Sequence, residues 1–375
     1  MCVLFTMRSA ESEKKKSGDN MKKNILVVDD SALMRRVICD IINSDHNFQA
    51  TDYCRDGLET YERLKVKSYD AIVLDIIMPH MDGLQLLERL QKEKIRVKVI
   101  IVSTQAGDEN ITLRAMELGA VAFVIKPGNV KEIKSDVFKV ELLANLNAVC
   151  RVPTAAKAAG VTAKLKGRAS VPVKRLKAAG GGNRLIALAC STGGPKALQS
   201  VIPFLPADIN APMVLVQHMP AGFTNSMAQR LDELSKVTVT EAVEGEKLEK
   251  GHVYVAPGGK HMLVAKNPDG SHRIVLDAAT PAIGGLKPCA NLTFDSLSKT
   301  GYDEIICVVL TGMGSDGTNG IRTLARSKPI HVIAQDETTC VVYGMPKSIA
   351  DAGLADEVVP LKDVAKTITK IAGVK

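Results

Sequence analysis

The sequence predicts an α/β protein of two parts: a doubly wound five-stranded parallel domain, then a second α/β domain with a mainly parallel sheet and an antiparallel hairpin. Three observations lead there. Short apolar runs alternate with segments of helical periodicity through both halves, the pattern of parallel strands joined by crossover helices. Polar residues of catalytic type collect at the ends of those runs, where open α/β sheets put their sites. A stretch with neither period separates the halves. At 375 residues the chain exceeds one ordinary core, and two domains of roughly 120 to 200 residues are expected.

Residues 1–20 turn polar and charged after the first few and are expected to form a disordered extension, because MKKNILVVDD from Met21 looks like a natural start. The first domain, 21–145, carries the runs ILVV, FQAT, AIVL, VIIV and AFVI. The intervening segment ALMRRVICDII sets Leu33, Val37 and Ile41, and also Met34, Ile38 and Ile42, on one helical face. Asp29 and Asp30 follow the first run, Asp75 the third, Ser103 the fourth and Lys126 the fifth. Three carboxylates converging at one sheet edge repel each other unless a divalent cation sits among them, and hard oxygen ligands suit Mg²⁺. The lysine and hydroxyl then complete a pocket for an oxyanion. The plain alternative, solvent-facing turn acids, leaves the coincidence of five such positions unexplained.

These residues carry a resemblance. VVDDSALMR, LDIIMPHMDG, VST and the pair Lys126-Pro127 resemble the receiver domain of two-component response regulators. The resemblance implies that Asp75 accepts a phosphoryl group from a sensor histidine kinase. It further implies that Asp29 and Asp30 hold Mg²⁺ with Asp75, that Ser103 is the switch hydroxyl, and that Lys126 contacts the phosphoryl oxygens. In-line attack by a carboxylate, with cations neutralising the equatorial oxygens, is the matching chemistry.

Residues 146–182 read as a basic flexible linker rich in Ala, Gly and Val. Between Arg151 and Gly182 lie eight Lys or Arg and no acid, so the formal net charge of +8 resides there and the rest of the chain is near neutral. A solvated tether explains this more simply than a patch for an acidic partner. No apolar stretch approaches the roughly 20 residues of a membrane span, and the opening segment lacks the layout of a secretory signal. Eight cysteines occur without a C-x-x-C pair, several inside apolar runs, as expected of reduced core residues. A cytoplasmic monomer without membrane insertion is therefore expected.

In the second domain, 183–375, LIALAC leads into Ser191, VLVQ into His218, and IICVVL into the glycine-rich loop holding Asp316. A hydroxyl, an imidazole and a carboxylate are what a hydroxyl nucleophile requires: the imidazole takes the proton and the carboxylate fixes its tautomer. Pro195 suits the first helical position, so Ser191 sits at a strand-to-helix junction with N–H groups of the turn available to an oxyanion. Alternatives stay open at this point. Ser191 fits a helix cap, Cys190 is a rival nucleophile turned to the opposite face by strand alternation, and His218 fits a hydrogen-bonded core histidine. His261 competes for the base, although it begins a strand after the hairpin turn PGGK. Gly312, Gly314 and Gly317 form G-x-G-x-x-G with Asp336 about 20 residues on, the spacing of a dinucleotide fingerprint. That motif falls too late in the chain for a nucleotide-binding sheet, and Asp316 would stand where a pyrophosphate approaches.

A second resemblance covers almost this whole domain. STGGP, QHMPAGFTNSMAQRLD, VYVAPGGKHMLV, KPCANLTFDSL, VLTGMGSDGTNGI and QDETTCVVYGMPKSIADAGL are similar to the catalytic domain of the chemotaxis protein-glutamate methylesterases. It implies that Ser191, His218 and Asp316 are the catalytic residues and that backbone N–H groups near Thr192 and Met313 form the oxyanion hole. The implied activity is hydrolysis of glutamate methyl esters on methylated chemoreceptors, with deamidation of receptor glutamines, and no cofactor for the hydrolysis itself. A receiver packed over Ser191 until Asp75 is phosphorylated would give the regulation. The competing classes are a phosphorylation-dependent binding module with an idle second domain and a DNA-binding regulator. The latter needs a helix-turn-helix after the linker, and the chain offers glycine-rich strand ends and 3% aromatic residues instead, so no nucleic-acid partner is expected.

Overall fold

A computed structural model describes residues 22–103, 109–128, 132, 136–150 and 182–373. The expected disordered extension 1–20 and all but the ends of the expected linker lie outside them. The first domain is a five-stranded sheet in the order β2-β1-β3-β4-β5, from β1 (Lys23–Val28), β2 (Phe48–Cys54), β3 (Ala71–Asp75), β4 (Val99–Ser103) and β5 (Ala122–Ile125). Every pairing is parallel, and both faces carry a core, one around Ile25, Val73 and Phe138, the other around Leu26, Leu74 and Leu86. Burial on both faces is why these strands read as unbroken apolar runs.

Helix Ala32–Asn43 starts at Ser31, whose hydroxyl accepts from Met34 N–H at 3.4 Å. Of the two stripes expected to face inward, Met34, Ile38 and Ile42 are buried, whereas Leu33 is 60% exposed. One helix presents about 100° of surface to a sheet, too little for both stripes. The last helix of this domain, Asp136–Val149, runs through the expected boundary at 145/146, so residues 146–149 belong to the receiver-like unit.

The second sheet has seven strands in the order β14-β13-β12-β6-β7-β9-β8, all parallel. They are β6 (Arg184–Cys190), β7 (Met213–Gln217), β8 (Thr238–Glu241), β9 (His252–Val255), β12 (Glu304–Val309), β13 (Ile330–Gln335) and β14 (Glu357–Val359). The strands β10 (His261–Lys266) and β11 (His272–Asp277) form the antiparallel hairpin. Chain direction across the sheet reverses between β6 and β12, and Ser191 and Asp316 follow those two strands, at the switch point where such sheets bind ligands.

The domains touch. Phe123 of β5 stacks on Phe223 with ring centroids 4.8 Å apart, and Leu113 is buried in the second domain's core. Glu117 Oε1 accepts from Arg230 Nε at 2.6 Å and from Gln199 Nε2 at 3.1 Å. Gly193 N–H donates to the carbonyl of Val121 at 3.0 Å.

Candidate active site and phosphoacceptor site

Ser191 follows β6, its N–H held by the Thr311 carbonyl at 3.0 Å. That approach demands a glycine at 312, since a Cβ there would stand 2.8 Å from the Ser191 Cβ. His218 follows β7, with its N–H donating to the Cys190 carbonyl at 3.2 Å. His218 Nε2 lies 2.8 Å from Asp316 Oδ2, a buried pair with side chains 7% and 5% exposed.

Asp316 is saturated with donors. Oδ2 also accepts from Ala290 N–H at 2.6 Å, and Oδ1 accepts from Asn291 N–H and Gly317 N–H, each at 2.9 Å. Burial works to raise its carboxyl pKa, but the His218 contact and the backbone donors outweigh it and hold the group at about 2. It is therefore an anion at neutral pH, able only to accept, which puts the imidazole proton on Nε2. Nδ1 is then the basic nitrogen, and it is buried without a hydrogen-bond partner among the described residues.

Ser191 and His218 line one cavity of about 650 Å³, together with Thr192, Met313 and the segment 284–287. No hydrogen bond joins Ser191 Oγ to His218 among the described residues. The N–H groups of Thr192 and Met313 donate to no other described residue. Across the cavity stand Met116, Phe123, Val137, Val140 and Glu141 of the first domain.

The competing residues are occupied elsewhere. Cys190 is fully buried, burial pushes its thiol far up, and Sγ donates to Gln217 Oε1 at 3.0 Å. His261 is fully buried at the start of β10, with Nε2 3.1 Å from the Pro281 carbonyl.

Gln217 is the residue that sequence reading passed over as the tail of an apolar run. It is 2% exposed, and its Nε2 donates to the carbonyls of Ser191 and His218, each at 3.1 Å. One amide thus ties the nucleophile's backbone to the base's. A Cβ at Gly194 would collide with its Oε1, so the second glycine of STGGP makes room for this clamp.

In the first domain Asp29, Asp30 and Asp75 each offer a carboxylate oxygen within 4.8 Å of the others. Lys126 Nζ lies 2.7 Å from both Asp29 Oδ2 and Asp75 Oδ2. Burial raises the Asp75 carboxyl pKa against the pull of Lys126, and the two carboxylates raise the lysine's although burial opposes them. Ser103 is 4% exposed, and its carbonyl accepts from Lys126 N–H at 2.6 Å. Three hard oxygen donors at that separation fit a divalent cation of magnesium type.

Residues 186–368 match the family model described as CheB methylesterase, and residues 25–138 that of a response regulator receiver domain. The chain is 40% identical over 356 residues to the protein-glutamate methylesterase/protein-glutamine glutaminase of Symbiobacterium thermophilum, a match spanning 93% of this chain and 97% of that one. It is 38% identical over 356 residues to the protein of that name from Bacillus subtilis, spanning 92% and 97%. Among solved structures, the Thermotoga maritima CheB methylesterase catalytic domain is 41% identical and covers 50% of this chain and 98% of its own, with a TM-score of 0.48.

Proposed function

The chain belongs to the chemotaxis protein-glutamate methylesterase/protein-glutamine glutaminase family, and from that premise we propose that Ser191, His218 and Asp316 perform its hydrolysis under control of Asp75. It is a receiver-controlled hydrolase that cleaves glutamate methyl esters and deamidates glutamines. The residue assignment rests chiefly on one observation: the buried 2.8 Å contact between His218 Nε2 and Asp316 Oδ2 leaves Nδ1 unpartnered among the described residues, and His218 and Ser191 line the same cavity.

His218 Nδ1 takes the Ser191 hydroxyl proton as Oγ bonds to the γ-carbonyl carbon of the methyl ester, which requires the serine side chain to turn toward the ring. The N–H groups of Thr192 and Met313 hold the oxyanion, each worth on the order of 3 kcal/mol. On collapse the C–OCH₃ bond breaks and Nδ1 returns its proton, releasing methanol. Water then attacks the acyl-serine, giving its proton to Nδ1, and the freed serine takes that proton back as glutamate leaves. A glutamine substrate follows the same course with ammonia as leaving group. Asp316 remains an anion throughout and stabilises the charged imidazole.

In the receiver, Asp75 attacks phosphorus as the P–N bond to the donor kinase's histidine breaks and its imidazole leaves, and the Lys126 ammonium offsets charge on the phosphoryl oxygens, with Ser103 as switch hydroxyl. Asp29, Asp30 and Asp75 would hold Mg²⁺, which supplies further positive charge there. A sensor histidine kinase as phosphodonor, methylated chemoreceptors as substrates and a cytoplasmic setting complete the reading. Methanol release from methylated receptor membranes, with and without a phosphodonor, tests it. The wild-type rate is expected to rise with phosphodonor and the Asp75→Asn rate to stay at the basal level; stimulation that survives in Asp75→Asn would refute the assignment of Asp75.

The receiver wall across the cavity supports occlusion as the mode of control. Glu117, fastened to Arg230 and Gln199, contributes to that closed arrangement. Because Arg230 is 39% exposed, the gain is modest: Glu117→Ala is expected to raise the unphosphorylated rate about threefold to tenfold, leaving the phosphorylated rate unchanged. An unchanged or lower unphosphorylated rate would speak against occlusion.

A further inference from the structure

A second recess lies at the sheet edge opposite Ser191. It has a volume of about 730 Å³ and is walled by residues 203–206, Lys236, and the outer face of helix Leu361–Ala372 with Lys366, Thr369 and Lys370. Its place in the fold follows from the chain: residues 203–206 lead into the start of β7, and Arg184, first residue of β6, donates from Nη1 to the Ala372 carbonyl at 3.1 Å. Nothing bound there would cover the catalytic mouth.

The lining is cationic and apolar at once. All three lysines are exposed, none has a carboxylate partner among the described residues, and no acid lines the recess. Lys366 and Lys370 stand four residues apart on one helix face, where like charges disfavour the helix. Beside them Phe204 is 71% exposed, flanked by Pro203 and Pro206. An uncompensated cluster of charge around an exposed ring is a local cost to the folded chain, and an anionic ligand with an apolar side chain relieves both parts of it.

We propose that this recess is a docking site for a short acidic peptide segment of a partner protein, with two or more carboxylates on Lys236, Lys366 and Lys370 and an apolar side chain against Phe204. Three lysines around an open, short recess suit a few carboxylates. A nucleic acid would need a longer basic track, and a bilayer a protruding face rather than a concave one. Such a site would tether the enzyme to a protein while the catalytic mouth works elsewhere on it, raising the effective substrate concentration without touching the chemistry.

The test is fluorescence anisotropy of fluorescein-labelled acetyl-Glu-Glu-Leu-Glu-Glu-amide titrated with the full chain. Saturable binding that weakens with salt is expected. The double variant Lys366→Glu/Lys370→Glu is expected to weaken it about tenfold or more, and Phe204→Ser about threefold. Hydrolysis of a small ester by both variants, at the wild-type rate, shows that they are folded and keeps this result separate from the esterase assignment. Absence of saturable binding, an affinity unchanged in either variant, or tighter binding of single-stranded RNA or phosphatidylglycerol vesicles than of the peptide would overturn the proposal.

Discussion

Ser191→Ala is expected to lower methanol release and glutamine deamidation together by about 10⁴-fold or more, because both reactions begin with the same attack and the remaining groups cannot supply a nucleophile of equal reactivity. The oxyanion donors survive the substitution, so a small excess over the uncatalysed reaction remains. The side chain is small and sits in the cavity wall, so the fold is not disturbed, and the thermal midpoint should match wild type. The neighbouring thiol offers no bypass, since Cys190 is buried and its proton is held by burial. Initial rates on methylated receptor membranes and on a small ester give the measurement. Retention of more than a tenth of either activity would remove Ser191 from the mechanism.

Asp316→Asn comes next in expected effect, about 10³- to 10⁴-fold in kcat. The carboxylate accepts from His218 and from three backbone N–H groups, whereas an amide has one accepting atom and one donating one. If the amide nitrogen faces the ring it donates to Nε2, the imidazole proton moves to Nδ1, and the base facing Ser191 is gone. If the oxygen faces the ring, the amide nitrogen meets the backbone donors of Asn291 and Gly317. The same residue predicts an acid sensitivity. Its carboxyl pKa is about 2 when folded against 3.8 for the free group. Its stabilising contribution is therefore complete above about pH 4 and is lost as pH falls toward 2. Unfolding curves from pH 5 to 2 should show this loss in wild type and not in Asp316→Asn; identical curves would mean that the carboxylate holds nothing together.

The strand cores were legible because parallel strands buried on both faces leave continuous apolar runs, and all five runs of the first domain became strands. Ser191 and His218 stood out for a related reason, since each ends an apolar run at the sheet edge where the chain turns, and Asp316 stood out by its place in the glycine-rich loop after such a run. Short edge strands such as β14 leave less trace, since three residues carry no periodicity. Gln217 was not legible at all. Its function depends on carbonyls of residues 191 and 218 brought together by the pairing of β6 with β7, and a glutamine at a strand end has no pattern that announces this. The helix Ala32–Asn43 failed differently, because periodicity names the faces of a helix and the sheet decides how wide a stripe it covers.

The hydrogen bond from Gly193 to Val121 places the regulatory domain two residues from the nucleophile, closer than a remote lid would come. Ser191 nonetheless lines a cavity of about 650 Å³, room for a reagent as small as a sulfonyl fluoride, so the speed of covalent labelling gauges the nucleophile itself, readable without receptor, membrane or methyl group.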